Sequence, residues 1–140
     1  MAGEAKELLV TEGAVVTRED GFIRVRRRAV PPLRDVAELE VFAGQLARAV
    51  PQRERQKLGL LLDMRDGPLG TDDALMIRME PAIQQLYEGF SRVAVLVGTA
   101  VGKLQANRRA REAGMKNGIF DNEAAAIAYV RGQDAPARRR

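Results

Sequence analysis

The sequence predicts an α/β fold: a single domain with an N-terminal β-hairpin followed by βαβαβα units, about five strands in one mixed sheet and about four helices. Three observations carry this. Two apolar runs, Gly59-Leu-Leu-Leu-Asp63 and Val93-Ala-Val-Leu-Val97, do not alternate with polar residues. Each therefore reads as a strand covered on both faces, as in a parallel sheet. The residues between them hold a turn and a helical pattern, which fits one β-α-β crossover. The third observation is a partly alternating N-terminal stretch, which reads as the hairpin.

The elements follow in order. Residues 7–18 are strand-like, with Gly13 marking a bulge or irregular edge. Glu19-Asp20-Gly21 is a tight-turn signal. The stretch from Phe22 to Arg28 places Ile23 and Val25 on one face and Arg24, Arg26 and Arg28 on the other. That arginine row reads as a charged edge or open solvated face, with a phosphate or partner patch as its rival. Pro31-Pro32 ends the strand.

Asp35 and Glu38 have the spacing of a capping box. Val36, Leu39, Phe42, Leu46 and Val50 then recur at helical spacing, so a first helix covers 35–50. Pro51 stops it, and 52–57 reads as a charged, solvated connection. After the strand at 58–64, Thr71, Asp72 and Asp73 offer caps for a second helix with Leu75, Met79, Ile83 and Leu86 inward. Pro81 lies inside this helix and predicts a kink or restart. Gly89 is placed to end it. A third helix runs over 100–113. A short strand over 118–121 and a helix over 123–131, capped by Asp121 or Asn122, complete the domain. In that last helix Ala124, Ile127 and Ala128 are expected inward. Residues 1–131 thus make the domain, and 132–140 are expected to be a disordered Arg-rich tail.

Composition narrows function. Cysteine and histidine are both absent. This excludes disulfides, thiolate nucleophiles, Cys/His zinc sites and imidazole catalysis together. No enzymatic activity and no cofactor are expected. The net charge is +4, of which residues 131–140 carry +3 and the first 130 residues only +1. A nearly neutral domain is a poor nucleic-acid binder. Aromatic residues make up only 4% of the chain, and none interleaves with the basic residues, which disfavours base stacking. No apolar stretch approaches membrane-spanning length. The N-terminus lacks the pattern of a secretory signal, so a cytoplasmic protein is expected.

Three constellations carry candidate chemistry. Gly98-Thr-Ala-Val-Gly102-Lys103-Leu104 invites a phosphate-loop reading. A Walker A loop needs four residues between its glycines and Ser or Thr after the lysine. Here the gap is three and Leu follows, so the segment reads as a strand-to-helix turn capped by Thr99. Asp63, Asp66, Asp72 and Asp73 follow a buried strand, where carboxylates sometimes hold magnesium. No lysine or nucleophile accompanies them, and Asp72 and Asp73 have a local role at a helix start. Lys103, Arg108, Arg109 and Arg111, with Asn107, make a basic helix face. With Thr99, Lys103, Arg108 and Arg111 form a candidate anion or partner patch.

The order of elements, the strand Leu60-Leu-Leu-Asp63, the polar loop opening a helix, Val93-Ala-Val-Leu-Val97 and the closing stretch from Ile119 to Val130 together resemble the STAS superfamily. That superfamily comprises the anti-sigma-factor-antagonist fold and its SEC14-like bacterial relatives. The closing stretch, a short strand ending in Phe before an acidic cap and an Ala-rich helix, is the most family-like part. The resemblance implies a non-enzymatic regulatory module that binds a kinase- or sigma-regulator-like protein through residues 66–75 and the start of the second helix. In antagonist members a Ser or Thr of an Asp-Ser-Ser/Thr-Gly signature is phosphorylated. Here the segment from Asp66 to Asp73 lacks that signature and offers only Thr71. The residues implied for partner binding or a phospho-switch are Asp63, Asp66, Thr71, Asp72 and Asp73. The SEC14-like relatives imply an alternative, a small-molecule or lipid-binding domain, supported by Met64, Leu69, Leu75, Met76 and Met79. The hairpin edge and arginine face also offer surfaces for a homodimer.

Overall fold

A computed structural model describes residues 5–30, 35–67, 73–112 and 118–133. Six strands form one sheet in the order β1-β2-β3-β4-β5-β6. They are β1 (Lys6–Val10), β2 (Ala14–Glu19), β3 (Phe22–Arg27), β4 (Gly59–Asp63), β5 (Arg92–Leu96) and β6 (Gly118–Phe120). The first three make an antiparallel meander, and β3 through β6 run parallel. Five helices accompany them: α1 (Val36–Ala49), α2 (Gln52–Arg55), α3 (Asp73–Tyr87), α4 (Ala100–Glu112) and α5 (Glu123–Val130). The fold is the expected α/β mixed sheet, with one more strand and one more helix.

The extra strand arises where 7–18 reads as one run. The Thr11 side-chain oxygen accepts hydrogen bonds from the Gly13 and Ala14 backbones at 3.2 and 3.0 Å. This local turn competes successfully with an extended chain. Gly13 therefore sits at a reversal, not a bulge. The β1–β2 register does shift, but between Glu7 and Leu9. The β2–β3 turn is where Asp20-Gly21 predicts it, and Gly21 has φ 88°, which favours glycine.

Period-two alternation sorts the sheet's side chains onto two faces. Ile23, Val25, Leu60 and Leu62 join Val16 under Ala43 and Leu46 of α1, Val50 at its C-cap and Leu86 of α3. Phe22, Leu61, Ala94 and Leu96 pack on the other face under Ala126 and Val130 of α5. The helices α1 and α3 also meet each other through Leu39, Met79 and Ala82. β4 is buried along its whole length, as its unbroken apolar run predicts.

The caps follow the sequence. Asp35 accepts from the Glu38 backbone at 3.1 Å, and Asn122, not Asp121, accepts from Ala125 at 2.9 Å. Gly89 follows α3 with φ 92°. α3 runs through Pro81 without a restart, and Pro81 is exposed. In α5 the buried residues are Ala126 and Val130, Ile127 packs partly buried beside them as expected, and Ala124 is exposed. The stretch 52–57 is exposed at Gln52, Arg53, Gln56 and Lys57, as expected for a solvated connection, but it is not irregular throughout. It holds the one-turn helix α2, whose Arg55 is 1% exposed.

α5 approaches the sheet most closely at Gly59. A Cβ there would meet the carbonyl oxygen and Cβ of Val130. Both belong to packed elements that cannot yield cheaply. Gly59→Ala is expected to lower stability by about 1–3 kcal/mol, read as a reduced urea midpoint with an unchanged slope. An unaltered midpoint would mean that α5 sits farther from β4.

Candidate functional site

In a sheet with parallel strands, the polar groups that serve function gather at the strands' carboxyl ends. Here that end holds the last residues of β3, β4 and β5, residues 64–67 and the start of α4. α5 is short, about 12 Å long, and covers only part of its face. Arg24 of β3 and Asp63 of β4 lie on the face shared with α5, beside its first turn.

Asp63 is 1% exposed, and both of its oxygens are engaged. Arg24 Nη1 donates to Oδ2 at 3.0 Å, and Arg65 Nη2 donates to the same oxygen at 2.7 Å. Arg65 Nε donates to Oδ1 at 2.9 Å, and the Arg65 backbone also donates to Oδ1, at 3.3 Å. Glu123, in the first turn of α5, accepts from Arg24 at 2.9 Å and from Arg65 at 3.4 Å. Two arginines and two carboxylates thus close a ring. Glu19 extends it by accepting from Arg24 Nε at 2.7 Å. Glu123 also lies where a helix N-terminus favours negative charge.

The ring sets the ionisation of its members. Burial alone would push the Asp63 carboxyl up. Hydrogen bonds from the Arg65 side chain and backbone, and the charges of Arg65 and Arg24, outweigh this and hold it below the usual carboxylate range. The hydrogen bond to Asp63 in turn raises Arg65 above its ordinary value. Arg24 is opposed by burial but is raised by Glu19 and Glu123. Asp63 is therefore a doubly clamped carboxylate held in its ionised form at neutral pH. It has no lone pair directed at solvent to accept a proton from a substrate.

This placement corrects two sequence readings. Asp63 is a buried tie between strands and not a group presented to a partner. The arginine row is not on an edge strand, because β3 lies between β2 and β4. Its outer part is solvated as expected: Arg26 and Arg28 are exposed, Arg28 donating to the Thr11 carbonyl at 3.0 Å and Arg26 lying 3.8 Å from exposed Asp66, while Arg24 is committed to the ring. The ring itself went unread, although one signal was present: a charge ending a fully apolar strand requires a buried countercharge.

The remaining predicted residues are dispersed. Thr71 and Asp72, like Leu69, lie outside the described residues, and Asp73 opens α3. Thr99 caps α4, its hydroxyl accepting from the Gly102 backbone at 2.9 Å and its carbonyl from Lys103 at 3.0 Å. Lys103 lies 3.9 Å from Asp121. Arg108 and Arg111 are exposed on α4. Among the described residues, no group of three or more His, Cys, Asp or Glu is arranged to hold a metal ion. The apolar residues that suggest a bound lipid are largely used in packing. Met79 is buried between α1 and α3 beside Leu75, and Met64 packs on the main core. Among the described residues no helix is long and apolar enough to cross a membrane.

What the carboxyl end does present is apolar surface. The exposed large apolar side chains among the described residues are Val10, Val41, Ile77, Val101 and Leu104. Val10 ends β1, which runs in the same direction as β3. Val41, Ile77, Val101 and Leu104 fall within the first six residues of α1, α3 and α4. All five therefore belong to the half of the molecule at the strands' carboxyl ends. Comparison with protein-family models, with curated proteins and with solved structures finds no match to this chain.

Proposed function

We propose that this chain is a cytoplasmic, non-enzymatic interaction module that binds a protein partner at the carboxyl end of its parallel strands. The contact surface comprises the loop after β4 and the start of α3, with the adjoining start of α4. The observation that carries this reading is the collection of exposed apolar side chains at that one end. Val41 and Ile77 stand on the neighbouring helices α1 and α3. Neighbouring exposed apolar groups mark interaction surfaces. Val10 lies four strands from β5 on the edge of the sheet and is no part of that surface. Ile77 is 65% exposed although it lies in the second turn of a helix whose opposite side is buried. Exposed Asp66, in the segment after β4, adds a polar group at the same end of the sheet. The residue inventory agrees: the chain lacks His and Cys, and among the described residues the one fully buried carboxylate is bound by two guanidinium groups. The resemblance to STAS domains makes a kinase- or sigma-regulator-like protein the partner class to test.

The test is affinity purification from the cells of origin with three forms of the chain. Wild type and Lys57→Glu, altered at the opposite end of the sheet, are expected to retain one common partner. Ile77→Asp is expected to lose it by about tenfold or more, as for a central apolar contact. Equal recovery by Ile77→Asp would overturn the assignment of the surface. Metabolite turnover by the purified chain would overturn the non-enzymatic role.

A further inference from the structure

Residues 64–67 form a surface segment with an internal anchor. Arg65 and Asp66 are exposed, whereas Asp63 is buried. Arg65 reaches back and grips that carboxylate with two prongs of its guanidinium. Nε donates to Oδ1 at 2.9 Å and Nη2 to Oδ2 at 2.7 Å. The Arg65 backbone N–H donates to Oδ1 as well, at 3.3 Å, and Nη1 donates to Glu123 of α5 at 3.4 Å. The backbone on either side is also tied. Met64 donates to the Leu96 carbonyl of β5 at 2.8 Å, and Gly67 donates to the Met64 carbonyl at 3.2 Å. The Arg65 main chain lies beside Gly98, where a Cβ would stand 3.7 Å from its carbonyl oxygen. Segments that follow strands are ordinarily the more mobile parts of a domain. Here a charged, two-pronged pair joins one of them to a buried strand end.

We propose that Arg65 is a positioning residue for the partner-binding surface: by gripping buried Asp63 it holds residues 64–67 in one shape before the partner arrives. This rests on the interaction role argued above and deepens it by naming what shapes the contact loop. A loop that is already ordered loses less freedom on binding. A loop that adopts the competent shape only part of the time binds more weakly by that fraction. The geometry separates this role from a direct contact. The Arg65 fork is turned inward on Asp63, and Asp63, 1% exposed, cannot touch a partner. The grip needs the planar fork of a guanidinium, which a lysine of equal charge lacks.

The test compares the full chain as wild type, Arg65→Ala, Arg65→Lys and Asp63→Asn, by backbone amide NMR relaxation and by capture of the partner. In wild type the amides of Arg65, Asp66 and Gly67 are expected to show the rigid-backbone order parameter of about 0.85. In each variant they are expected to fall below about 0.6, while the amides of β4 and β5 keep theirs and show that the fold is retained. Capture is expected to weaken by about threefold to tenfold in all three variants. Asp63→Asn is the decisive one, because its altered side chain is internal and nearly unchanged in size. Unchanged order parameters in Arg65→Ala and Asp63→Asn overturn the proposal, since backbone bonds would then hold the segment alone. Loosening without loss of capture overturns it too. So does wild-type capture by Arg65→Lys with a loosened segment, which would make Arg65 a direct charge contact. Each of these failures leaves Ile77-dependent capture, and with it the interaction role, standing. If capture does not depend on Ile77 either, the interaction role itself falls and the proposal falls with it.

Discussion

Replacing Arg55 with Ala is expected to lower the unfolding free energy by about 4 kcal/mol, among the largest single-residue effects in this chain. Arg55 is buried in the one-turn helix α2, and among the described residues no carboxylate is in hydrogen-bonding contact with it. Its guanidinium instead donates to carbonyls: Val50 at 2.9 Å, Glu88 at 2.8 Å and Leu86 at 3.5 Å. Val50 caps α1, and Leu86 and Glu88 lie at the end of α3. The last carbonyls of a helix have no partner within it and carry its negative pole. One cation thus satisfies the ends of two helices. Its plane also lies over Phe90, 4.6 Å from the ring centroid. Burial lowers its pKa, but an arginine stays protonated at any pH the fold survives.

Hydrogen bonds to a charged group contribute about 1.5–3 kcal/mol each. Two short bonds and a ring contact therefore support the figure, even though water entering the space recovers part of it. Arg55→Lys is expected to recover less than half, because a single ammonium cannot reach both helix ends with the fixed fork of a guanidinium. Urea unfolding of the three proteins reads the effect. A loss below about 1 kcal/mol for Ala, within the range of a surface change, would mean that α1 and α3 are held by apolar packing alone.

The second large effect lies at Asp63. Cutting one partner from a buried ion pair costs about 3–5 kcal/mol, because the other charge is left uncompensated. Arg24, whose side chain is 12% exposed, keeps Glu19 and Glu123, and Arg65 is partly solvated. The expected cost of Asp63→Ala is therefore at the low end, about 3 kcal/mol. The pH dependence follows from the depressed pKa. The folded state holds Asp63 below its ordinary value of 3.8, so the unfolded chain binds its proton first. The contribution is fully present above that ordinary value and fades as pH falls through the lower folded one. Wild type should lose stability more steeply than Asp63→Asn below about pH 4, and the two profiles should run parallel above it. Parallel profiles throughout would show that Asp63 is not ionically held.

Much of the fold was legible because its signals are local. The unbroken apolar runs at 59–63 and 93–97 can only be inner strands once helices flank them, and they are β4 and β5. Asp35 with Glu38 marks a helix start, and Asp20-Gly21 a hairpin turn, through contacts spanning a few residues. Where local signals conflict, the outcome was less readable. Gly13 fits a bulge or a turn, and the Thr11 hydroxyl decides for the turn. The helix at 123–130 is so rich in Ala that its sequence scarcely distinguishes one side from another, and the close approach to Gly59 selects Ala126 and Val130.

The site was less legible because its contacts join distant parts of the chain. Asp63, Arg24 and Glu123 were each visible as polar residues, yet nothing in a linear pattern says that they meet. Arg55 looked like one of several charges in a polar stretch. Its burial depends on where two helices end, which no neighbour in sequence reports.

The amino-acid sequence by itself determined the class of this protein: a mixed α/β sheet with parallel inner strands, its turns and most of its caps, and an inventory without imidazole or thiol chemistry. These rest on periodicity, local hydrogen bonding and residue type. Tertiary structure alone decided which charges are internal and which face solvent. It folded Arg24, Asp63 and Arg55 into the protein and left Ile77, Val101 and Leu104 outside. Burial is a property of how elements pack, and a charge or an apolar group acquires its role only when its surroundings are complete.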